Sequence, residues 1–283
     1  LYPKVSVINP ELMNTVSKDY LVYSAADIIA HCIEGYFTAS VQPTFINRQI
    51  ESIIKTVIET TEKLIENPNN YDARAEFAWA STCALNGLTY IGTKDFSYPN
   101  HMIEHSLSAL YNVPHGAGLS VVIPAWMKWY YSKNSIQFER FANEIFGLYS
   151  SQEGIQALEN WFNKIGTPTK LSQFGLNELN FEEIMEVGLE NAKYFGVGEI
   201  YTKEVFKEIL NLASNGNDGY LKYIATIKPD TKLSSEKITY VKGFKDWDWA
   251  IATGFYTDEL EKQIIEKQIQ IKDRYTKNLI NLF

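Results

Sequence analysis

Apolar residues recur at helical spacing through most of the chain as far as residue 213. In the clearest repeat, over 44–65, they follow one another at intervals typical of one helix face: Ile46, Ile50, Ile53, Ile54, Val57, Ile58, Leu64 and Ile65. This pattern predicts an amphipathic helix. Comparable patterns predict further helices over 20–35, 72–87, 101–111, 121–131, 136–149, 178–190 and 202–213. Only 5–8 alternates like a strand in this part, so we expect a mainly α fold.

The chain also carries a predicted boundary. Residues 214–219 are six turn formers in a row, and such clusters usually lie between structured segments. We therefore expect a helical domain over 1–213 and an extension over 214–283 that we assign to no known domain. Within the extension, 222–241 looks strand-like or irregular, and 258–283 has the spacing of a closing helix.

Composition narrows the class of protein. Hydrophobic residues make up 45% of the chain and charged residues 21%, as in soluble globular proteins. The net charge of -8 argues against a nucleic-acid partner, and no apolar run approaches the length of a membrane span. Cys32 and Cys83 are too few for a disulfide scaffold, which fits a reducing cytoplasm.

All histidines of the chain lie within one window, at spacings that a metal site uses. Asp27 and His31 are four positions apart, and so are His101 and His105, so each pair shares a helix face. His115 follows a Pro-Gly break that can fold it back. Imidazoles with one carboxylate suit Fe²⁺, Zn²⁺, Co²⁺ or Ni²⁺. The spacing does not decide between His101 and His105 as ligand.

Two segments resemble the iron-containing (group III metal-dependent) alcohol dehydrogenase family. The first is 27–38, DIIAHCIEGYFT, and the second is 101–116, HMIEHSLSALYNVPHG, with its 14-residue step between the outer histidines. Three short stretches between them look like the butanol dehydrogenase and aldehyde reductase branch: 72–75, 79–82 and 86–87. The resemblance covers roughly 1–213.

This resemblance implies a fold and a set of site residues. The fold would be the helical metal-binding domain of the dehydroquinate synthase-like and iron-containing alcohol dehydrogenase type. The implied metal ligands are Asp27, His31, His101 and His115. His105 would remain unligated, face the nicotinamide and substrate, and act as the catalytic residue that relays a proton. Fe²⁺ is the first expectation for the metal, with Zn²⁺ or Ni²⁺ as alternatives.

The implied activity is the NAD(P)-dependent interconversion of primary alcohols and aldehydes. The metal would act as a Lewis acid on the substrate oxygen. No GxGxxG follows a predicted strand, and in the family a Rossmann-like nucleotide domain precedes the metal domain. We therefore expect the metal-binding half alone, with that domain absent, as a fragment or a split gene product. Its partners would be a small alcohol or aldehyde and a separate nucleotide-binding chain or a homo-oligomer.

Two other functional classes stay open. The chain could be a catalytically inactive remnant or partner subunit that binds metal but needs a separate cofactor domain. Metal-assisted hydrolysis would need a general base, and Glu34 and Glu104 are the close carboxylates; both are expected to face solvent or to pair locally.

The sequence departs from the branch at two places near the second histidine segment. The loop 95–100 is longer than the branch's usual Asp-Trp-x-x-His approach, which would reshape the substrate pocket. Ser106 stands where the branch commonly has Glu, so one contact near the metal would be weaker.

Overall fold

The chain forms two compact units, Leu1–Ser214 and Asn215–Phe283. The computed structural model describes the following parts of the backbone: residues 4–215, 219–225, 235–244 and 249–256. Side chains are described as far as residue 214. The sequence predicted a division between residues 213 and 214, one position before the division between the two units.

The first unit is helical. Its α-helices are α1 (Lys18–Thr38), α2 (Thr44–Glu66), α3 (Tyr71–Leu85), α4 (Pro99–Tyr111), α5 (His115–Tyr130), α6 (Ser135–Phe146), α7 (Ser151–Ile165), α8 (Phe181–Tyr194) and α9 (Lys203–Asn215). Short 3-10 helices lie at Pro10–Met13, Leu88–Tyr90, Tyr131–Lys133, Leu171–Phe174 and Glu178–Asn180. The prediction of a mainly α fold is confirmed. Among the described helices, none has the length and apolar character needed to cross a bilayer.

Helix α1 is the central element of this unit and packs against α2, α3, α4 and α5. Ser17 caps its start, because its hydroxyl accepts a hydrogen bond from a first-turn N–H at 3.3 Å. Gly35 does not end the helix; a Cβ there would lie 3.1 Å from the Tyr90 ring, so the glycine allows that ring to pack closely. Most side chains of α1 are buried. Asp27 and His31, by contrast, are only partly buried.

Helices α4 and α5 are joined by a tight turn. Asn112 adopts the left-handed conformation with φ 52°, and α5 begins at His115. The predicted break through Gly116, with a helix from Val121, was therefore too long. Gly116 permits close packing instead, since a Cβ there would lie 2.1 Å from the carbonyl oxygen of Tyr23.

The sequence-based prediction missed one helix of the first unit and included one strand that the described structure does not contain. Helix α7 was not predicted, although Ser150 and Glu153 form a Ser-x-x-Glu capping pattern and the Ser150 hydroxyl accepts the Glu153 N–H at 3.2 Å. The strand predicted over 5–8 is absent from the described structure. Val5 and Val7 are 78% and 90% exposed, so alternation alone did not bury one face.

The second unit contains a three-stranded antiparallel sheet in its described part. Its strands pair in chain order: β1 (Gly219–Ala225), β2 (Ser235–Phe244) and β3 (Trp249–Tyr256). Tyr240, on the middle strand, is opposite Tyr220 on one side and Thr253 on the other. The strands include much of 222–241, which the sequence predicted as strand-like or irregular. The closing helix predicted over 258–283 lies outside the described residues.

Candidate metal centre

Three helices bring four of the predicted site residues to one point. Asp27 and His31 lie one turn apart on α1. His101 lies in the first turn of α4, and His115 is the first residue of α5. Oδ1 of Asp27 is 3.4 Å from Nε2 of both His31 and His101, and it is 3.7 Å from Nε2 of His115. We call these four residues the Asp27 cluster.

Donor atoms of Asp27, His101 and His115 lie within 4.8 Å of one another, close enough to share a metal ion, and His31 joins them through its 3.4 Å distance to Asp27. In a tetrahedral site with bonds near 2.1 Å, neighbouring ligand atoms lie about 3.4 Å apart. Asp27 Oδ1 and His101 Nε2 are buried and have no hydrogen-bond partner among the described residues, whereas buried polar atoms are normally paired. Three imidazole nitrogens with one carboxylate oxygen suit Fe²⁺, Zn²⁺, Co²⁺ or Ni²⁺.

A buried carboxylate on α1 holds the far side of the His101 ring. Glu34 is fully buried, and its Oε1 lies 2.9 Å from Nδ1 of His101. The same oxygen accepts the backbone N–H of His101 at 3.0 Å. Asn100 donates its side-chain N–H to the other oxygen, Oε2, at 3.3 Å. The His101 ring therefore lies between Glu34 and Asp27, two turns apart on one helix.

A second buried carboxylate, on α4, holds His115 in the same way. Glu104 is fully buried, and its Oε2 contacts Nδ1 of His115. Ser108, one turn further along α4, donates its hydroxyl to Oε1 of Glu104. Gly118 leaves room for the carboxylate, since a Cβ at that position would lie 2.4 Å from Oε1.

Glu34 and Glu104 were expected to face solvent or to pair locally. Neither faces solvent; Glu34 pairs with the distant His101, whereas Glu104 pairs both with Ser108 on its own helix and with His115. Each is buried against a histidine of the cluster, which makes both unsuited to act as the general base of a hydrolase. Helical spacing could have found them: Glu34 lies at i+7 from Asp27, and Glu104 at i+3 from His101, so each shares a face with a predicted ligand.

The electrostatic environment differs among the residues of the Asp27 cluster. Burial, with the charge of His101, lowers the pKa of His31 to about 4. Burial also opposes protonation of His101, but the carboxylates of Asp27 and Glu34 outweigh it and raise its pKa to about 9. Burial would raise the pKa of Asp27, yet the surrounding imidazoles lower it. The cluster therefore favours a charged carboxylate at its centre.

His105 lies beside the Asp27 cluster but outside it. Its ring centroid is 5.6 Å from that of His115 and 6.3 Å from that of His101, and the residue is exposed. Phe195, the residue that follows the end of α8, lies with its ring centroid 6.0 Å from that of His105. Partial burial of its ring lowers the pKa of His105. Donor atoms of Glu104, His105 and His115 also lie within 4.8 Å of one another, so the two histidine-rich groups share His115.

A family comparison covers the whole of this site. The model of the C-terminal domain of the Fe-containing alcohol dehydrogenase family matches residues 21–214, which is more than half of the chain and includes the Asp27 cluster and His105. The chain belongs to the iron-containing alcohol dehydrogenase family.

Sequence relatives of this dehydrogenase family member include enzymes of two coenzyme preferences. It is 31% identical over 218 residues to the probable NADH-dependent butanol dehydrogenase 1 of Bacillus subtilis, covering 74% of this chain and 56% of the relative. It is 30% identical over 181 residues to the NADPH-dependent aldehyde reductase YqhD of Escherichia coli, covering 62% and 46%. The chain spans about half the length of the curated relatives it matches.

Solved structures agree on the fold. The NADH-dependent butanol dehydrogenase A of Thermotoga maritima superposes with a TM-score of 0.72 at 42% identity, over 75% of this chain and 56% of that one. The aldehyde reductase YqhD of E. coli gives a TM-score of 0.65 at 27% identity, over 72% and 55%. The predicted helical domain of the iron-containing alcohol dehydrogenase type is thereby confirmed.

A second family model matches the end of the helical unit and the sheet. The Cache domain model covers residues 177–261, a range that includes α8, α9 and the three strands. This match is a likeness over less than half of the chain.

The loop over 95–100, which we expect from the sequence to be longer than in the branch, borders the Asp27 cluster. Phe96 stacks on Tyr90 at 4.6 Å, and Tyr98 meets the His101 ring edge-on at 6.1 Å. The loop thus supplies an aromatic wall beside the cluster. Ser106, where we expect from the sequence a second departure, is fully buried, and its hydroxyl has no hydrogen-bond partner in the described structure.

Proposed function

We propose that this chain is the metal-binding half of an NAD(P)-dependent alcohol dehydrogenase or aldehyde reductase that interconverts primary alcohols and aldehydes. The observation that carries the proposal is the convergence of three imidazole nitrogens on Oδ1 of Asp27, within the residues that match the family. The names of the relatives, butanol dehydrogenase and aldehyde reductase, support the substrate class.

The Asp27 cluster would hold one divalent ion, for which Fe²⁺ is our first choice and Zn²⁺ or Ni²⁺ the alternatives. An ion in that position supplies a Lewis acid for the oxygen of an alcohol or aldehyde. The chain supplies the geometry, because the ligands come from three packed helices. The open side of the cluster is at His115, whose side chain is 38% exposed, and there a substrate can enter.

His105 is the proposed proton relay. It lies one turn after His101 on α4, and its ring is near the exposed His115. It is not among the residues that converge on Asp27. A neutral imidazole has one donor and one acceptor nitrogen, so it can take a proton from the substrate hydroxyl and pass it to solvent. Phe195 gives this side of the site an apolar wall.

The hydride carrier would be NADH or NADPH, the two coenzymes in the names of the relatives. A nucleotide-binding partner, either further residues of a longer protein or a separate chain, would present the nicotinamide to His105. A homo-oligomer is the other assembly that we propose. Cys32 and Cys83 are both free, which supports a reducing, cytoplasmic location.

Complementation tests the proposed activity. The purified chain, loaded with Fe²⁺ or Zn²⁺, is mixed with the nucleotide-binding half of the Thermotoga maritima relative, and NAD(P)H formation from 1-butanol is followed by absorbance. We expect butanol-dependent NAD(P)H that Asp27→Ala abolishes. A chain that binds metal but stays inactive in this mixture would favour the alternative, a non-catalytic partner subunit. A chain that binds no metal overturns both.

A further inference from the structure

Two buried carboxylates lie against the Asp27 cluster and are not used in the function proposed above. We propose that Glu34 and Glu104 are positioning residues, each of which holds one histidine in the tautomer and orientation that directs Nε2 into the cluster. Gly118 contributes to the same arrangement, because its lack of a side chain leaves the space that Glu104 occupies. This inference rests on the proposed metal site and adds residues that determine its affinity.

The chemical reason lies in the two nitrogens of imidazole. A neutral ring carries one proton, and only the other nitrogen has a lone pair for a metal. A carboxylate beside Nδ1 accepts a hydrogen bond from it, which keeps the proton on Nδ1 and leaves Nε2 free. Nδ1 of His101 faces Glu34 at 2.9 Å, and Nδ1 of His115 faces Glu104. In both rings the opposite nitrogen, Nε2, faces Asp27.

Glu34 is itself held firmly. It accepts hydrogen bonds from Asn100 and from the backbone of His101, so the carboxylate is fixed at the junction of α1 and α4. Since Asp27 is on the same helix, α1 sets the position of both nitrogens of the His101 ring. A shift of the ring would disturb contacts at both of its ends.

Glu104 has a different support. It reaches from α4 to His115 on α5, and only Ser108 is seen to donate a second hydrogen bond to it in the described structure. The remaining constraint is steric. Oε1, Cγ and Cδ of Glu104 would all lie within 2.9 Å of a Cβ at position 118. A residue larger than glycine there forces the Glu104 side chain or the α5 backbone to shift, and we expect this shift to move the carboxylate away from His115.

Two variants remove this support in different ways. Glu104→Gln keeps the size of the side chain and removes its charge, and Gly118→Ala keeps the charge and displaces it. We expect each to weaken Co²⁺ binding about 10- to 100-fold, the usual effect of losing such a contact. We also expect the ¹⁵N NMR signals of His115 to change from a single Nδ1–H tautomer to a mixture. Glu34→Gln should weaken Co²⁺ binding to a similar degree through His101.

Gly154→Ala is the matched control. A Cβ at Gly154 would lie 2.5 Å from Cβ of Ala142, so this variant is crowded to a similar degree but at the α6–α7 contact. It should lose stability and keep both Co²⁺ affinity and the His115 tautomer. If Gly118→Ala does not fold, Glu104→Gln carries the test.

The outcomes separate this inference from the proposed function. A wild-type chain that binds no Co²⁺ contradicts the metal site itself. A wild-type chain that binds Co²⁺, with variants that bind it equally well and keep a single tautomer, overturns the positioning role and leaves the metal site in place. Loss of stability alone, without either change, also overturns it.

Discussion

Helix α1 buries polar side chains in two places that are built differently. Near its end, the Tyr36 hydroxyl donates to Oε1 of Glu51 at 2.8 Å. Arg140 completes that group with two hydrogen bonds to the same carboxylate, at 2.5 and 3.0 Å. Near the middle of α1, Asp27 and His101 leave one buried polar atom each without a hydrogen-bond partner among the described residues.

The difference in hydrogen bonding between these two places distinguishes a structural group from a candidate binding site. A buried carboxylate that is fully hydrogen-bonded, as Glu51 is, stabilises the packing of α1, α2 and α6. Oδ1 of Asp27 and Nε2 of His101 lie 3.4 Å apart, within ion-pair distance, but neither makes a hydrogen bond among the described residues. A buried polar atom without a hydrogen bond reduces stability by about 1–3 kcal/mol, a cost that a bound ion would offset. The Glu51 group is thus a structural element, and this contrast supports our proposal that the Asp27 cluster holds a cation.

The largest expected effect separates the two groups by metal affinity. Asp27→Ala removes the oxygen on which the three imidazoles converge, so the affinity for Co²⁺ should fall by more than about 100-fold, beyond the loss expected for an outer contact. Arg140→Met, in the Glu51 group, should leave it unchanged. Isothermal titration measures both. Equal affinity in wild type and Asp27→Ala would place the metal elsewhere.

Metal removal should affect stability only through the Asp27 cluster. An ion present at 100 times its Kd raises the free energy of unfolding by about 2.7 kcal/mol. We expect a difference of this size between Zn²⁺-loaded and chelator-treated protein in chemical denaturation. The difference should persist in Arg140→Met and vanish in His115→Ala. Its persistence in His115→Ala would mean that His115 is not a ligand.

The Glu51 group should show the opposite response, a loss of stability without a loss of metal. Arg140→Met leaves the buried Glu51 carboxylate without its cation. Because the Arg140 side chain is 28% exposed, we expect the free energy of unfolding to fall by about 1–3 kcal/mol. This is less than the loss for a fully buried pair. Lys164→Met is the control, since its ion pair with Glu62 is exposed and should contribute less than about 1 kcal/mol. Similar losses of stability in Arg140→Met and Lys164→Met would contradict the proposed difference between the buried and the exposed ion pair.

The smallest expected effect is the alkaline pH dependence of the Glu51 group. Burial and the Glu51 charge raise the pKa of Tyr36 far above its ordinary value of 10.0. The unfolded chain ionises this tyrosine near pH 10 and the folded chain does not. The contribution of the un-ionised Tyr36 hydroxyl to the free energy of unfolding is therefore complete below about pH 10. It is lost as the pH rises further, by about 1.4 kcal/mol per pH unit.

The variant Tyr36→Phe should reduce that slope in denaturation curves measured between pH 9.5 and 11, a range of our choosing around the ordinary value (~10) for tyrosine. Tyr149→Phe is the control, because Tyr149 is 85% exposed. A slope unchanged by Tyr36→Phe would show that the hydroxyl is not protected by burial.

Much of the helical unit could be predicted because its signals are local. The apolar repeat of α2 and the i, i+4 pairs on α1 and α4 depend only on spacing along one helix. The same locality explains the failure at Gly116, where glycine is required by contact with Tyr23, a residue distant in sequence. From the sequence alone, a glycine close after a proline predicts a break in the helix.

The site was only partly predictable for the same reason. Histidines are rare here, so His31 and His115 were evident as candidates. Glu34 and Glu104 are two glutamates among many acidic residues, and their role depends on the tertiary contact that buries each against an imidazole. Their place on the ligand face was available from the sequence, but their burial was not.

The position of the metal is the most direct test of the central claim. Crystals grown with Co²⁺ and measured on both sides of the cobalt absorption edge locate the ion without any assumption about activity. The predicted result is one anomalous peak within about 2.0–2.2 Å of Asp27 Oδ1 and of Nε2 in the three histidines of the Asp27 cluster. A peak bound by Glu104 and His105 instead, with Asp27 uncoordinated, would contradict it.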